Sequence, residues 1–336
     1  MSYRYDVEAL KKWINSRKIR RLLIQAPPGL KQIAVKVARE ISSEVDHVVF
    51  YGGSCWGGCD VAFRAASIAG ADGILHLGHA RFLEREEVPT YYLECRASDP
   101  KPLERVLEKA TPLLSRFRRV GIGVVVQWLE FLSLIEKKLG ETGLEVLIGD
   151  PIPPLRYRGQ ILGCSYQPLL KASNVDCFLV IGSKFHGLGL ALQTKKPVYA
   201  ADPEAQKIFD LEPEVGRILK MRYAYIERFK RSRQIGVIAS IKPGQFRMKT
   251  ALRIAEILEK KGMEADVILV DDVVVEYLRD EPFEGFVNTA CPRLSIEDQN
   301  RLEKPLLLPI EALIAVGEAE WEEVIRTPRY MSMEVS

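Results

Sequence analysis

Apolar residues recur along this chain in two alternating rhythms. Residues 21–25, 120–126 and 235–239 are short apolar runs rich in β-branched side chains, without strict alternation of apolar and polar positions. Such runs belong in parallel sheets whose two faces are both covered by helices. Before each lies a stretch with apolar residues every three or four positions, at 6–16, 103–117 and 214–229, and another follows, as at 246–260. That spacing predicts amphipathic helices. Second strands are predicted at 47–51, 144–148 and 266–270, and third strands at 73–77, 177–181 and 285–289. Fourth strands are predicted at 89–93, 197–200 and 305–308.

The same order of elements therefore occurs three times, with shared rhythm rather than shared residues as its sign. Alternating strands and helices imply right-handed βαβ crossovers. The expected fold is α/β: three similar βαβ domains with short parallel sheets, at 1–98, 99–202 and 203–336. Each has about the size of an ordinary domain. Open α/β sheets bind ligands beyond the carboxyl ends of their strands, so three such edges facing one another would enclose a central cleft.

Composition narrows the function. With 336 residues and 47% apolar content the chain can fill two or three cores. A net charge of +3 argues against a nucleic-acid surface, and the one basic stretch, 228–233, reads as a solvated helix end. No apolar run reaches the roughly 18 residues of a membrane span. The charged first twenty residues lack the apolar core of a signal peptide. A soluble, cytoplasmic protein is expected. Thiols stay reduced there, so the six cysteines read as metal ligands or core residues rather than disulfides.

Four of those cysteines fall in loops. The run Tyr51-Gly52-Gly53-Ser54-Cys55-Trp56-Gly57-Gly58-Cys59-Asp60 follows the second strand of the first unit, and its glycines let backbone wrap closely around a ligand. Cys164 ends Gly159-Gln160-Ile161-Leu162-Gly163-Cys164, and Cys291 follows the third strand of the last unit. Cys95 and Cys177 bound apolar strands and read as small hydrophobes. No second close cysteine pair exists to complete a structural zinc site. One loop cysteine per unit, plus Cys55, leaves two readings: three unrelated thiols, or three thiolates on a cubane cluster with one iron open to a small molecule.

Other polar groups are candidates for the same cleft. His76 and His79, at the end of a third strand, are read as facing the same way, either as metal or substrate ligands or as structural histidines. His186 follows another third strand. Ser240-Ile241-Lys242-Pro243-Gly244-Gln245 precedes a helix, whose N-terminal amides suit a carboxylate. Gln245 would add a donor there and Arg293 a bidentate charged one. The plainer reading is a helix cap and a surface arginine. Residues 26–29 lack the Lys-Ser/Thr of a phosphate loop, and no nucleophile elbow or His-Glu-x-x-His helix occurs.

In order along the chain come Gln25-Ala26-Pro27-Pro28-Gly29-Leu30, Gly58-Cys59-Asp60, Ala71-Asp72-Gly73 leading to His76-Leu77-Gly78-His79, and Leu162-Gly163-Cys164. Phe185-His186-Gly187, Lys242-Pro243-Gly244-Gln245 and Ala290-Cys291-Pro292-Arg293 follow. In this series the sequence resembles the archaeal diphthamide synthase subunit, the 2-(3-amino-3-carboxypropyl)histidine synthase family, over nearly its whole length. The resemblance implies a 4Fe-4S cluster on Cys59, Cys164 and Cys291. It implies S-adenosylmethionine bound by Gln245 and Arg293; Lys242 and Gly244 are read as S-adenosylmethionine-binding with them, and His79, His186 and Asp60 are candidates to line the cleft. The implied reaction is a non-canonical radical cleavage of S-adenosylmethionine, whose 3-amino-3-carboxypropyl group goes to one histidine of translation elongation factor 2. A homodimer and an unidentified electron donor are implied as partners, with neither direct nucleic-acid binding nor a membrane. Cys55 is an additional thiol that the family pattern does not require. The rivals are a quinolinate synthase, which shares the three-unit architecture, and a cluster-bearing partner subunit without activity.

Overall fold

Three sheets arise from three consecutive stretches of the computed structural model, which describes residues 2–172 and 174–334. The first stretch contains β1 (Tyr3–Arg4), β2 (Arg21–Gln25), β3 (His47–Phe50), β4 (Gly73–Leu77), β5 (Thr90–Leu93) and β6 (Arg96–Ala97). The second contains β7 (Arg119–Val124), β8 (Glu145–Leu147), β9 (Cys177–Ile181), β10 (Val198–Asp202) and β11 (Lys207–Asp210). The third contains β12 (Gln234–Ser240), β13 (Glu264–Val270), β14 (Gly285–Asn288) and β15 (Leu306–Leu307). The strand orders are β3-β2-β4-β5, β8-β7-β9-β10-β11 and β13-β12-β14-β15. In each, the second strand flanks the first on one side and the third and fourth lie on the other. All these pairs are parallel except β10 with β11.

A shared polar contact ties the three copies together. The acidic residue just before the third strand caps the start of the first. Asp72 accepts from the backbone N–H groups of Arg20 and Arg21 at 3.1 and 3.0 Å. Asp176 does the same for Arg118 and Arg119 at 2.9 and 2.8 Å, and Glu284 accepts from Arg233 at 2.5 Å. Backbone donors at a strand end must find a partner, and one acidic side chain serves in every unit.

Burial explains the apolar runs. All five residues of β4 and all five of β9 are buried, as a central strand covered on both faces requires. The predicted helices appear as Val7–Arg17, Lys101–Leu114, Glu212–Phe229 and Met248–Lys260. Two pieces of structure depart from the sequence reading. The residues of β1 and β6 pair antiparallel as a short ribbon. β11 adds antiparallel to β10, so the second sheet continues past residue 202, where the third unit was expected to begin. Four residues with exposed ends, Lys207 to Asp210, carry too little apolar signal to be read as a strand. Among the described residues no helix is long and apolar enough to cross a membrane.

Candidate metal centre

The loop after β3 is held from beneath by one buried amide. Parallel pairing of β2 with β4 sets Gln25 opposite His76. The Gln25 Nε2 group donates to the carbonyls of Ser54 and Asp60 at 3.0 and 2.6 Å, while its Oε1 accepts from the Ala62 N–H at 3.0 Å. Asp60 then closes the loop on itself, accepting from Ser54 Oγ and the Trp56 N–H, both at 3.1 Å. Gly58 has its glycine for a spatial reason, because a Cβ there would lie 2.5 Å from the Ala80 carbonyl oxygen.

The third unit grips this loop directly. Lys242 Nζ donates to Asp60 Oδ1 at 2.6 Å and Ser54 Oγ at 2.7 Å, and pairs with Asp272 Oδ1 at 2.8 Å. Its three N–H donors thus have three partners. Two residues later the Gly244 N–H donates to the Cys59 carbonyl at 2.8 Å, and Gln245 Nε2 reaches Cys59 Sγ at 3.5 Å. A Cβ at position 244 would stand 2.5 Å from Cys59 Cβ, so only glycine permits this approach.

Cys164 and Cys291 arrive from the other two units. Leu162 and Ser165 bond reciprocally through their backbones at 3.1 and 3.4 Å, leaving Gly163 and Cys164 at the tip of a tight turn. Phe185 packs so closely on Gly163 that a Cβ there would lie 2.2 Å from its ring. The Arg293 guanidinium stacks over that Phe185 ring, 3.4 Å from its centroid. Cys291 is the residue before the helix Pro292–Glu297, and Asn288 Nδ2 fixes its carbonyl at 2.7 Å. Arg293 also pairs with Glu297 at 3.1 Å, which occupies the Nε–Nη2 edge of its guanidinium.

The three thiols lie within electrostatic reach of one another. Burial and then neighbouring Cys291 push the Cys59 thiol up to about 11. Burial, Cys291 and Cys59 push Cys164 well up, although its surface is open to the cleft. Burial raises Cys291 too. Against these, Arg247 and Arg293 lower both Cys164 and Cys291. Arg247 is the residue the sequence reading passed over. It donates to the Ala290 carbonyl at 2.8 Å and so belongs to the Cys291 loop. Its only sequence signal is its place at the mouth of the helix Met248–Lys260. Three soft thiols from three units, two guanidinium groups to balance anionic sulfur, and a glycine that admits backbone to the first thiol suit an iron–sulfur cluster.

Other expected residues sit around this centre in distinct ways. Asp60 is buried and raised by that burial in spite of its Lys242 partner, whereas Asp272, also desolvated, is lowered because Lys242, Ser54 and Trp56 outweigh the loss of water. His186 bonds Ser183 Oγ through Nδ1 at 2.9 Å and is lowered to about 4 by burial, Arg293 and His79. His76 and His79 are three residues apart, which on a continuous strand would put them on opposite faces. β4 instead ends at Leu77, and Gly78 takes a positive φ of 81° that turns His79 back onto His76, Nδ1 to Nε2 at 3.0 Å. One possible ligand atom each from Cys55, His76 and His79 lie within 4.8 Å of one another. Cys55 is buried and pushed up to about 12, by burial first and then Asp60 and Cys59.

Known proteins resemble this chain in sequence and in fold. Residues 26–326 match the sequence profile of the diphthamide synthesis protein family. A 2-(3-amino-3-carboxypropyl)histidine synthase from Pyrococcus horikoshii is 34% identical over 313 residues, covering 92% of this chain and 90% of that protein. The protein of the same name from Methanocaldococcus jannaschii is 25% identical over 325 residues, covering 91% of this chain and 86% of its own length. The crystal structure of Dph2 from Pyrococcus horikoshii with a 4Fe-4S cluster matches with a TM-score of 0.87 and 33% identity, over 95% of this chain and 93% of that one. Matched over most of its length in both sequence and fold, the chain belongs to the diphthamide synthesis protein family.

Proposed function

We propose that this chain is a 2-(3-amino-3-carboxypropyl)histidine synthase that binds a 4Fe-4S cluster through Cys59, Cys164 and Cys291. The observation that carries the reading is the meeting of these three thiols, one from each repeat, beside Arg247 and Arg293. Three protein thiolates leave one iron of a cubane free for the methionine end of S-adenosylmethionine. The cluster, when reduced, supplies the electron that starts cleavage of the sulfur–Cγ bond. The transferred 3-amino-3-carboxypropyl group goes to a histidine of translation elongation factor 2, the first step of diphthamide formation. Family membership sets aside the quinolinate synthase reading.

The chain's own residues bind and orient. Gln245, already turned toward Cys59 Sγ, and Arg293, with its Nη1 edge unused by Glu297, face the methionine carboxylate. Gly244 keeps that loop against the first thiol, and Lys242 acts by locking Asp60 and Asp272. Units 1–98, 99–202 and 203–336 are read as the domains, save that β11 at Lys207–Asp210 belongs to the second sheet. The free cysteines fit a reducing cytoplasm, and the functional form is a homodimer served by a separate electron donor. Anaerobic incubation of the reduced, reconstituted protein with S-adenosylmethionine and elongation factor 2 tests the reading. Methylthioadenosine and a histidine heavier by the transferred group are expected. Retained transfer by a Cys164→Ala variant would remove the three-thiol centre.

A further inference from the structure

The proposed transfer has a stoichiometry that demands one more group. Cleavage uses one electron lent to the sulfonium, which leaves a neutral thioether and a carbon radical. The radical adds to C2 of the acceptor imidazole, and restoring the aromatic ring releases the C2 proton and returns the lent electron. Charge and electrons then balance only if one proton leaves, with no net oxidant or reductant. A protein base positioned beside C2 would take it.

Hydrogen-bond directions identify one such atom. Gln25 Nε2 donates to two carbonyls, so its Oε1 can only accept. His76 Nδ1, 3.0 Å from that Oε1, must therefore carry the proton. His76 is fully buried and neutral, its pKa lowered by burial and then by His79, so its Nε2 is a bare acceptor. That in turn makes His79 Nδ1 the donor across the 3.0 Å contact. Nε2 of His79 is left with a lone pair and, among the described residues, no hydrogen bond. Taking a proton there keeps the existing Nδ1–H bond unchanged, so the relay needs no rearrangement.

His79 also lies next to the loop that carries the first thiol. Its neighbour Ala80 backs onto Gly58, one residue before Cys59. After burial, Arg293 and His79 are both near enough to His186 to lower it. The nearness of Cys55, His76 and His79 also suggests a metal ion. Yet one nitrogen of each ring is already taken by the other ring.

We infer that His79 Nε2 is the base that takes the C2 proton of the acceptor histidine, with Gln25 and His76 as positioning residues that fix its tautomer. The inference rests on the proposed transferase activity. In the test, His79→Asn, whose amide can still donate to His76, and His79→Ala are reconstituted anaerobically alongside wild type. Iron, zinc, methylthioadenosine and modified elongation factor are counted in the same samples. Wild type should give about one transferred group per methylthioadenosine. Both variants should hold full iron and lose transfer per methylthioadenosine by roughly 100-fold or more, the usual worth of a positioned base. Added imidazole should restore part of the transfer in His79→Ala. An unchanged ratio, or failure of imidazole to rescue, would overturn the role. So would one zinc per chain that disappears in Cys55→Ser, because a metal would occupy the histidine pair. If wild type forms no methylthioadenosine, the transferase reading itself falls, a result distinct from these.

Discussion

At the scale of single residues, the centre depends on what is absent as much as on what is present. Gly244 lies against Cys59 with no space for a methyl group, the nearest atom being 2.5 Å from a built Cβ. Gly244→Ala should force the two loops apart, costing about 1–3 kcal/mol, as overpacking does. Iron bound per chain should fall with it, and iron counting beside urea unfolding checks both. The histidines give a second expectation, through pH. Burial lowers His76 well below its usual value and His79 to about 4. The unfolded chain, with ordinary imidazoles near 6.5, binds more protons than the native one below that pH. Stability should therefore fall as pH drops from about 6.5 toward 4, by roughly 1 kcal/mol per pH unit for each buried imidazole. A His76→Gln variant should show a shallower loss between pH 7 and pH 5 in urea titrations. An equal slope would mean that His76 is already open to protons in the fold.

Among the elements, the long helix Glu212–Phe229 carries the most consequential buried charge. Arg222 is wholly buried and pairs with Glu311 of the helix Pro309–Ala315, with Nε to Oε1 at 2.9 Å. It also donates to the Ser295 and Leu306 carbonyls at 2.7 and 2.9 Å. The Tyr330 hydroxyl donates to Glu311 at 2.7 Å. One guanidinium thus binds the helix after the second sheet to the strand, helix and tail of the third. Arg222→Met leaves a carboxylate buried without its cation and should cost about 3–5 kcal/mol. Replacing both, as Arg222→Met with Glu311→Leu, should recover much of that loss in thermal unfolding. Sequence rhythm located the helix Glu212–Phe229, but Arg222 is indistinguishable in sequence from the solvated arginines of the same helix. The cores of β2, β4 and β9 were fully legible, because an uninterrupted apolar run has nowhere to go but between two helical layers. β1, β6 and β11 were not, since two to four residues of mixed polarity pair only when tertiary packing supplies a partner.

For the molecule as a whole, Lys242 is the rivet between the first and last units. Its exposure is 6%, and it bridges Asp60 and Ser54 of one to Asp272 of the other. All three of its donors have protein partners. Lys242→Met should loosen the first unit from the third. Faster amide exchange is expected at 54–60 and 240–245, with lower iron retention, and Lys242→Met with Asp60→Asn should restore part of both. Unchanged exchange in the single variant would show that the glycine contact alone holds the loops.

The sequence alone determined the repeated α/β plan and that every copy carries a thiol in a loop, because periodicity and the loop-or-strand setting of a cysteine are properties of short segments. Tertiary structure decided how those thiols share a space with Arg247 and Arg293, which end of Gln25 faces His76, and that Gly78 folds His79 back on its neighbour. The reason is physical. A hydrogen bond's direction and a charge's effect depend on distances of a few ångströms, and residues more than a hundred positions apart acquire those distances only when the sheets dock.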